Sequence, residues 1–282
     1  MAMAINQNGV SVGVSVDVDD TATPVIWLSN TAATALPVGL LGLASTNCSP
    51  TDVSDTSGSA SPIVVGNCPN GQGTATPVKW IKGLLGYAAA TFSLPSSATS
   101  CSVSEVNMAG QAMGSCRFTS TSDPKTVYWS AAGVPQVLAT VAGSAVRNIG
   151  NDMNASGQIA GVYLTSGDFG QPYFWDPTTG NDAIAIAPIP GGNRAGVAGI
   201  GDNSTVVGNS EVGNGDFHPY AWTAGGGTVD QGTLNGASAA VNSIAKNGCY
   251  IAGTSEVTGE AAHAFKESIC RSSMAIMAKR KL

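Results

Sequence analysis

The chain has 282 residues, of which 11% are charged, and carries a net charge of −6. A phosphate backbone is held by clustered Lys and Arg, so this balance excludes nucleic acid as a partner. The longest apolar stretch, Ala35 to Ala44, is ten residues interrupted by Pro37 and two glycines, about half of what a membrane-spanning helix needs. Few charges, 36 glycines and abundant Ala, Val, Ser and Thr point to short strands and tight turns, an all-β composition.

In chain order, one unit recurs six times. Met1 to Ala4 has no basic or apolar leader pattern, so a secretory signal is either absent or removed; the cysteines favour removal. Ile5 opens an Asn/Gly turn, Asn6 to Gly9, and a short apolar run ends at Gly13. Pro24 and Trp27 then mark a later strand. The second copy carries about five extra residues near Ser57 to Ser61 before Gly66, Pro77 and Trp80. The third runs from Val106 and its turn to Gly114 and Trp129. The fourth reads Ser144 to Val146, Met153 to Gly157, Gln158 to Gly161, Pro172 to Trp175 and Asp182 to Ala187. In the fifth, Ile200 to Ser204 precedes Thr205 to Gly208, Pro219 to Trp222 and Val229 to Leu234. The sixth holds Ala239 to Val241, Ile244 to Gly248 and Gly253, with Glu267 in the tryptophan position and a last strand at Met274 to Ala278. Lys279 to Leu282 reads as a solvated tail.

From marker glycine to tryptophan the interval is 14, 14, 15, 14 and 14 residues, and Glu267 follows Gly253 by 14. Each unit therefore predicts four antiparallel strands, here called A to D, with proline at the start of strand C where a missing N–H costs least. Units of about 45 residues that cannot bury both faces alone must stack, and four strands per unit predict a β-propeller in preference to a β-solenoid. The expectation is a single domain of six blades, about 1–40, 41–95, 96–142, 143–190, 191–236 and 237–282. No strand is exchanged between the first and last blades, so the ring closes by side-chain packing.

This layout resembles the extracellular HAF-repeat proteins, with units of the form Ile-Asn, Gly, Val-Gly-x-Ser and His-Ala-Phe-x-Trp. His263-Ala264-Phe265 spells the motif, and His218-Pro219-Tyr220-Ala221-Trp222 is the next nearest. The resemblance implies a secreted bacterial repeat protein and assigns no activity.

Register also pairs the cysteines. Cys48 and Cys101 lie five residues before the strand A markers Val53 and Val106, and Cys68 and Cys116 lie two after the strand B glycine. Antiparallel A–B pairing predicts Cys48–Cys68 and Cys101–Cys116, and B–C pairing predicts Cys249–Cys270. Metal ligation, the alternative, lacks a Cys-x-x-Cys pair and has only His218 and His263 to draw on. Paired cysteines place the chain in the periplasm or outside the cell.

No catalytic constellation and no cofactor or metal site is expected. His218 and His263 share a register with Thr23, Thr76, Lys125 and Gln171, which favours a loop-tethering role. The tryptophans, at fixed register, are expected between blades and not on a carbohydrate platform. Ser166 to Gly170 with Tyr173 echoes a sialidase Asp-box but occurs once, outside the usual turn. The B–C loops hold half of the acidic residues: Asp17, Asp19, Asp20, Asp123, Asp168, Glu211, Asp216, Glu256 and Glu260. An acidic loop face is thus expected, with Lys79, Lys82, Lys246 and Lys266 nearer the opposite side. Asp17, Asp19, Asp168, Phe169, Asp216 and Phe217 form the candidate partner-binding face, with Ca²⁺ on Asp17, Asp19 and Asp20 a lesser reading. The functional expectation is a monomeric, non-enzymatic binding protein using that face or the central channel, its partner a protein or glycan of basic character. The alternative is a glycan-binding or glycan-hydrolysing propeller.

Overall fold

The computed structural model describes residues 1–28, 32–38, 47–71, 74–119, 123–138, 145–165, 170–180 and 182–270. Among these there are six antiparallel sheets and no helix; in particular, no helix is long and apolar enough to cross a membrane. The chain forms two compact units, Met1–Leu138 and Ala139–Leu282, with three sheets in each.

In the first unit the sheets are β1 (Ala2–Ile5), β2 (Ser11–Val16), β3 (Ala22–Trp27) and β4 (Thr34–Ala35); β5 (Ser49–Val53), β6 (Val64–Pro69), β7 (Ala75–Gly83) and β8 (Gly86–Thr91); and β9 (Ser100–Val106), β10 (Ala112–Arg117), β11 (Lys125–Trp129) and β12 (Pro135–Val137). The second unit contains β13 (Ala145–Met153), β14 (Ile159–Thr165), β15 (Gly170–Trp175) and β16 (Ile184–Ala185); β17 (Ala195–Ile200), β18 (Val206–Glu211), β19 (Phe217–Thr223) and β20 (Gly227–Asp230); and β21 (Ala239–Ile244), β22 (Tyr250–Ser255) and β23 (His263–Ser268). Strands are neighbours in chain order, as A-B-C-D. The expected last strand, Met274 to Ala278, lies outside the described residues.

Strand D is shorter or displaced from its expected span in two places. Asp182 to Ala187 reduces to Ile184–Ala185, because Pro188 and Pro190 have no N–H to continue the ladder. Val229 to Leu234 becomes Gly227–Asp230; beyond it the Leu234 amide turns away to the Ser255 hydroxyl at 2.9 Å.

The marker glycine has one physical cause in all six sheets. Strand A carries a β-bulge opposite it: the extra residue is Met3, Thr51, Ser104, Asn151, Ala198 or Asn242, set against Gly13, Gly66, Gly114, Gly161, Gly208 or Gly253 and its preceding neighbour. The bulge bends strand A across strand B. A Cβ on any of these glycines would collide with a strand A carbonyl, that of Met1, Ser49, Ser102, Ile149, Gly196 or Ala240. In the second unit an aromatic ring of strand C covers the glycine's other side: Tyr173, Tyr220 and Phe265 lie opposite Gly161, Gly208 and Gly253. The first unit uses Val25, Val78 and Val127 there.

Strand B is apolar without alternation because it is covered on both faces. Val64 joins a core with Val10, Val12, Ile26 and Trp80, whereas its neighbour Val65 joins one with Val103, Val106 and Trp129. Val206 and Val207 divide in the same way, the first with Ala160, Phe174 and Trp222, the second with Val241, Ile251 and Phe265. Thus the second sheet is sandwiched between the first and third, and the fifth between the fourth and sixth. Trp80, Trp129 and Trp222 fill three of these seams. Trp80, Trp129 and Trp175 are fully buried, Phe92 stacks on Trp129 and Phe174 on Trp222 at 5.3 and 5.4 Å, and the Trp80 and Trp129 indoles donate to the Pro37 and Ser93 carbonyls, each at 2.8 Å.

Polar side chains tie one sheet to the next. Asn67 on strand B donates to the Val103 carbonyl and accepts from its amide, both at 2.9 Å; Asn209 does the same to Val241, at 3.0 and 2.7 Å. Each carboxamide acts as a spare peptide group on the neighbouring strand A. Asn209→Asp leaves the buried Val241 carbonyl facing an acceptor, and is expected to cost about 2 kcal/mol in denaturant unfolding; Asn209→Gln, which keeps the donor but not the reach, is expected to recover only part.

Asp52 and Asp152 occupy the residue after the bulge and accept from the Val106 and Ile200 amides of the following sheet, at 2.9 and 2.8 Å. Burial pushes the Asp152 carboxyl above its ordinary value, opposed by the Ile200 and Met153 amides and by Lys246 and reinforced by Asp202. A carboxyl raised in the folded state favours folding below its unfolded pKa and loses that contribution as pH rises through the folded value. Asp152→Asn, which still accepts from Ile200, is therefore expected to be more stable than the parent at neutral pH. The gap should close as pH falls towards the ordinary carboxylate range, in paired urea titrations across pH.

Candidate functional site

The A–B turns are built on one asparagine. Asn6, Asn107 and Asn154 each accept two amides of their own turn at 2.9 to 3.1 Å, and the Asn6 and Asn154 carboxamides also donate to Ser54 and Gly201 of the next sheet. These turns and the C–D turns lie at one edge of each sheet; the B–C loops lie at the other.

The three disulfides are Cys48–Cys68, Cys101–Cys116 and Cys249–Cys270, with Cα atoms 4.1, 4.1 and 4.7 Å apart. Cys101 and Cys116 stand directly opposite in the A–B ladder. The position two after the marker glycine is an anchor whether or not it holds sulfur. In the fifth and sixth sheets it is Ser210 or Ser255, whose buried hydroxyl accepts the Ile189 or Leu234 amide at 2.9 Å. Sequence reading found the cysteine version and missed the serine one.

At the B–C edge most carboxylates are engaged within their own sheet. Asp17 accepts the Asp19 and Thr21 amides at 3.0 and 2.9 Å, closing the β2–β3 loop; Asp19 is exposed. Glu211 accepts the Asn193 amide at 3.1 Å and lies 3.9 Å from Arg194, and Glu256 holds the Ser238 amide at 3.1 Å. Asp216 accepts from Asn214 at 2.6 Å. Phe217 begins β19, is 38% exposed as a residue, and donates its amide to the Ser238 hydroxyl. Asp168 and Phe169, and with them Ser166 and Gly167 of the Asp-box-like stretch, lie outside the described residues.

Both histidines face carboxylates. His218 contacts the two Asp230 oxygens at 3.1 and 2.9 Å, joining strands C and D, and His263 contacts Glu260 at 2.9 Å. Their register mate Gln171 donates to the Asn193 carbonyl at 2.7 Å. No group of three or more His, Cys, Asp or Glu that could hold a metal ion occurs among the described residues. The fifth sheet's edge therefore offers an exposed aromatic ring, a carboxylate and a carboxylate-oriented imidazole. That set can hold ammonium and amide groups.

No protein-family model matches the chain, and no curated protein matches it by sequence. Solved structures do match. The dipeptidyl peptidase 4 of Porphyromonas gingivalis aligns over 94% of this chain and 44% of its own, with 13% identity and a TM-score of 0.58. The acylaminoacyl peptidase of Pyrococcus horikoshii aligns over 96% and 45%, with 10% identity and a TM-score of 0.52. The Dos1 propeller aligns over 90% and 63%, with 10% identity and a TM-score of 0.50.

The fold is an all-β propeller fold.

At these identities the likeness is one of fold, and the chain spans less than half the length of the two peptidases. It nevertheless corrects the functional expectation. The expectation of a non-enzymatic binding protein working through an acidic loop face or central channel, or of a glycan-directed propeller, is set aside, because peptidases stand among the structural neighbours, beside the Dos1 propeller. The error has a physical source. The loop-charge reading counted carboxylates as free, whereas Asp17, Glu211 and Glu256 are spent on backbone amides of their own sheets.

Proposed function

We propose that the chain is the peptide-handling propeller of a peptidase, with hydrolysis carried out by groups outside residues 1–282. The observation that supports this best is the alignment of nearly the whole chain with less than half of each peptidase, as expected of one part of a larger hydrolytic assembly. Asp216 and Phe217 are the contacts this reading assigns to the peptide: the carboxylate for an α-ammonium or backbone amide, the ring for an apolar side chain. Export to an oxidising compartment belongs to the same proposal and is supported by the three disulfides.

The test is titration of the purified chain with a library of short unmodified peptides, followed by calorimetry. Binding in the micromolar to millimolar range is expected, weakened about tenfold in the double variant Asp216→Ala, Phe217→Ala, with unfolding unchanged. Absence of peptide binding, or full binding by the double variant, would overturn the assignment.

A further inference from the structure

The second sheet departs from the first, third, fourth and fifth in its outer hairpin. Its strand D, β8, is six residues long, against two to four for β4, β12, β16 and β20. The ladder with β7 runs from Val78 opposite Thr91 to Gly83 opposite Gly86. The turn at its tip is Leu84-Leu85, and both side chains are fully exposed; Ile81 behind them is 44% exposed. Turn positions normally take Gly, Asn, Asp or Ser, whose side chains suit water and local hydrogen bonds. Two leucines there gain nothing in the free chain.

The hairpin is held firmly. Trp80 is buried at its base, and the Tyr87 hydroxyl donates to the Pro62 carbonyl at 3.1 Å, bracing the hairpin on the inserted A–B loop. The third sheet's C–D turn lies alongside: the Lys79 ammonium donates to the Ala131 carbonyl at 3.3 Å, and Val134 of that turn is 61% exposed. The surroundings are also the longest part of the chain without acid. From Thr56 to Ser104 there is no Asp or Glu, and the two charges are Lys79 and Lys82, in a chain of net charge −6. Lys82 pairs with Tyr87 in the last rungs before the turn.

We propose that the Leu84-Leu85 hairpin docks the protein on an anionic lipid surface, the leucines entering the acyl boundary and Lys82 meeting headgroup phosphates. The shape argues for lipid. A stable protein interface buries about 800 Å² on each side with matched contours, whereas two projecting leucines and one lysine need only a fluid apolar layer below an anionic one. The charge argues the same way, because a basic, acid-free hairpin on an acidic protein can approach an anionic surface that the rest of the molecule avoids. This role is independent of the peptide reading and uses a C–D turn in place of a B–C loop.

The experiment is co-sedimentation of the whole purified chain with vesicles of phosphatidylcholine alone and of phosphatidylcholine mixed with phosphatidylglycerol. The chain is expected to sediment with the mixed vesicles, less with phosphatidylcholine, and less as salt rises. Leu84→Ser with Leu85→Ser should weaken partitioning about a hundredfold, and Lys82→Gln should remove the preference for phosphatidylglycerol. Near-ultraviolet circular dichroism checks that both variants keep the parental fold. A Leu84→Trp variant should shift its fluorescence to the blue on mixed vesicles. No sedimentation of the parent, or equal sedimentation of the leucine variant, would overturn the proposal. So would a parent that ignores vesicles but self-associates on sizing until the leucines are changed, an outcome that assigns the tip to a second copy.

Discussion

Gly208→Ala is expected to destabilise the protein by about 3 kcal/mol, whereas Gly196→Ala, twelve residues earlier, is expected to be neutral or to stabilise by up to about 1 kcal/mol. A Cβ at Gly208 would drive into the Gly196 carbonyl on one side and to 2.8 Å from the Tyr220 ring on the other. Neither can give way. The carbonyl belongs to the bulged strand A and also accepts the Tyr220 hydroxyl at 3.1 Å, and Tyr220 is fully buried. At Gly196 itself a Cβ meets nothing within 4 Å, so the substitution there mainly reduces the freedom of the unfolded chain. Guanidinium unfolding of the two variants, side by side, measures the contrast. Similar midpoints would show that strand A does not bend over strand B as described.

Reduction of the disulfides is the second large effect. Each bridge closes a loop of 15 to 21 residues, which in the chain-entropy account is worth about 3 kcal/mol. Two of the three lie in the first unit, so reductant should lower that unit's unfolding midpoint more than the second's. Cys101→Ser with Cys116→Ser is expected to remove about 3 kcal/mol by itself. The buried Ser210 and Ser255 show that a hydroxyl in the Cys116 register can be tolerated when an amide meets it; a variant losing less than about 1 kcal/mol would mean that a hydrogen bond of this kind had replaced the bridge.

The repeat was legible because its cause is steric and acts six times. A glycine under a bulged strand in six repeats, and a tryptophan at a fixed interval after it in five, leave a periodic trace that needs no structure to detect, and the sheets follow from it. The bulge itself was not legible: Met3, Thr51, Ser104, Asn151, Ala198 and Asn242 share no chemistry, since an unpaired residue on a bent strand is constrained only by its backbone. Asn67 and Asn209 were missed for another reason. Their carboxamides work only where a neighbouring strand A offers a free peptide edge, and elsewhere the same register holds Val14, Ser115, Val162 and Thr254. The acidic residues misled because composition counts charge and not its partners; Glu211 and Glu256 occupy one register and do one structural job, which a reading of loops as surfaces does not see. Leu84 and Leu85 look in sequence like core residues, and only the hairpin register puts them at a tip.

Strand A pairs with strand B inside each repeat, in the register that sets Cys101 against Cys116. Proteolytic digestion of the unreduced protein followed by mass spectrometry tests this most directly. The predicted result is three linked peptide pairs, Cys48 with Cys68, Cys101 with Cys116 and Cys249 with Cys270. A link between cysteines of different repeats, such as Cys68 with Cys101, or free thiols in the native protein, would contradict it.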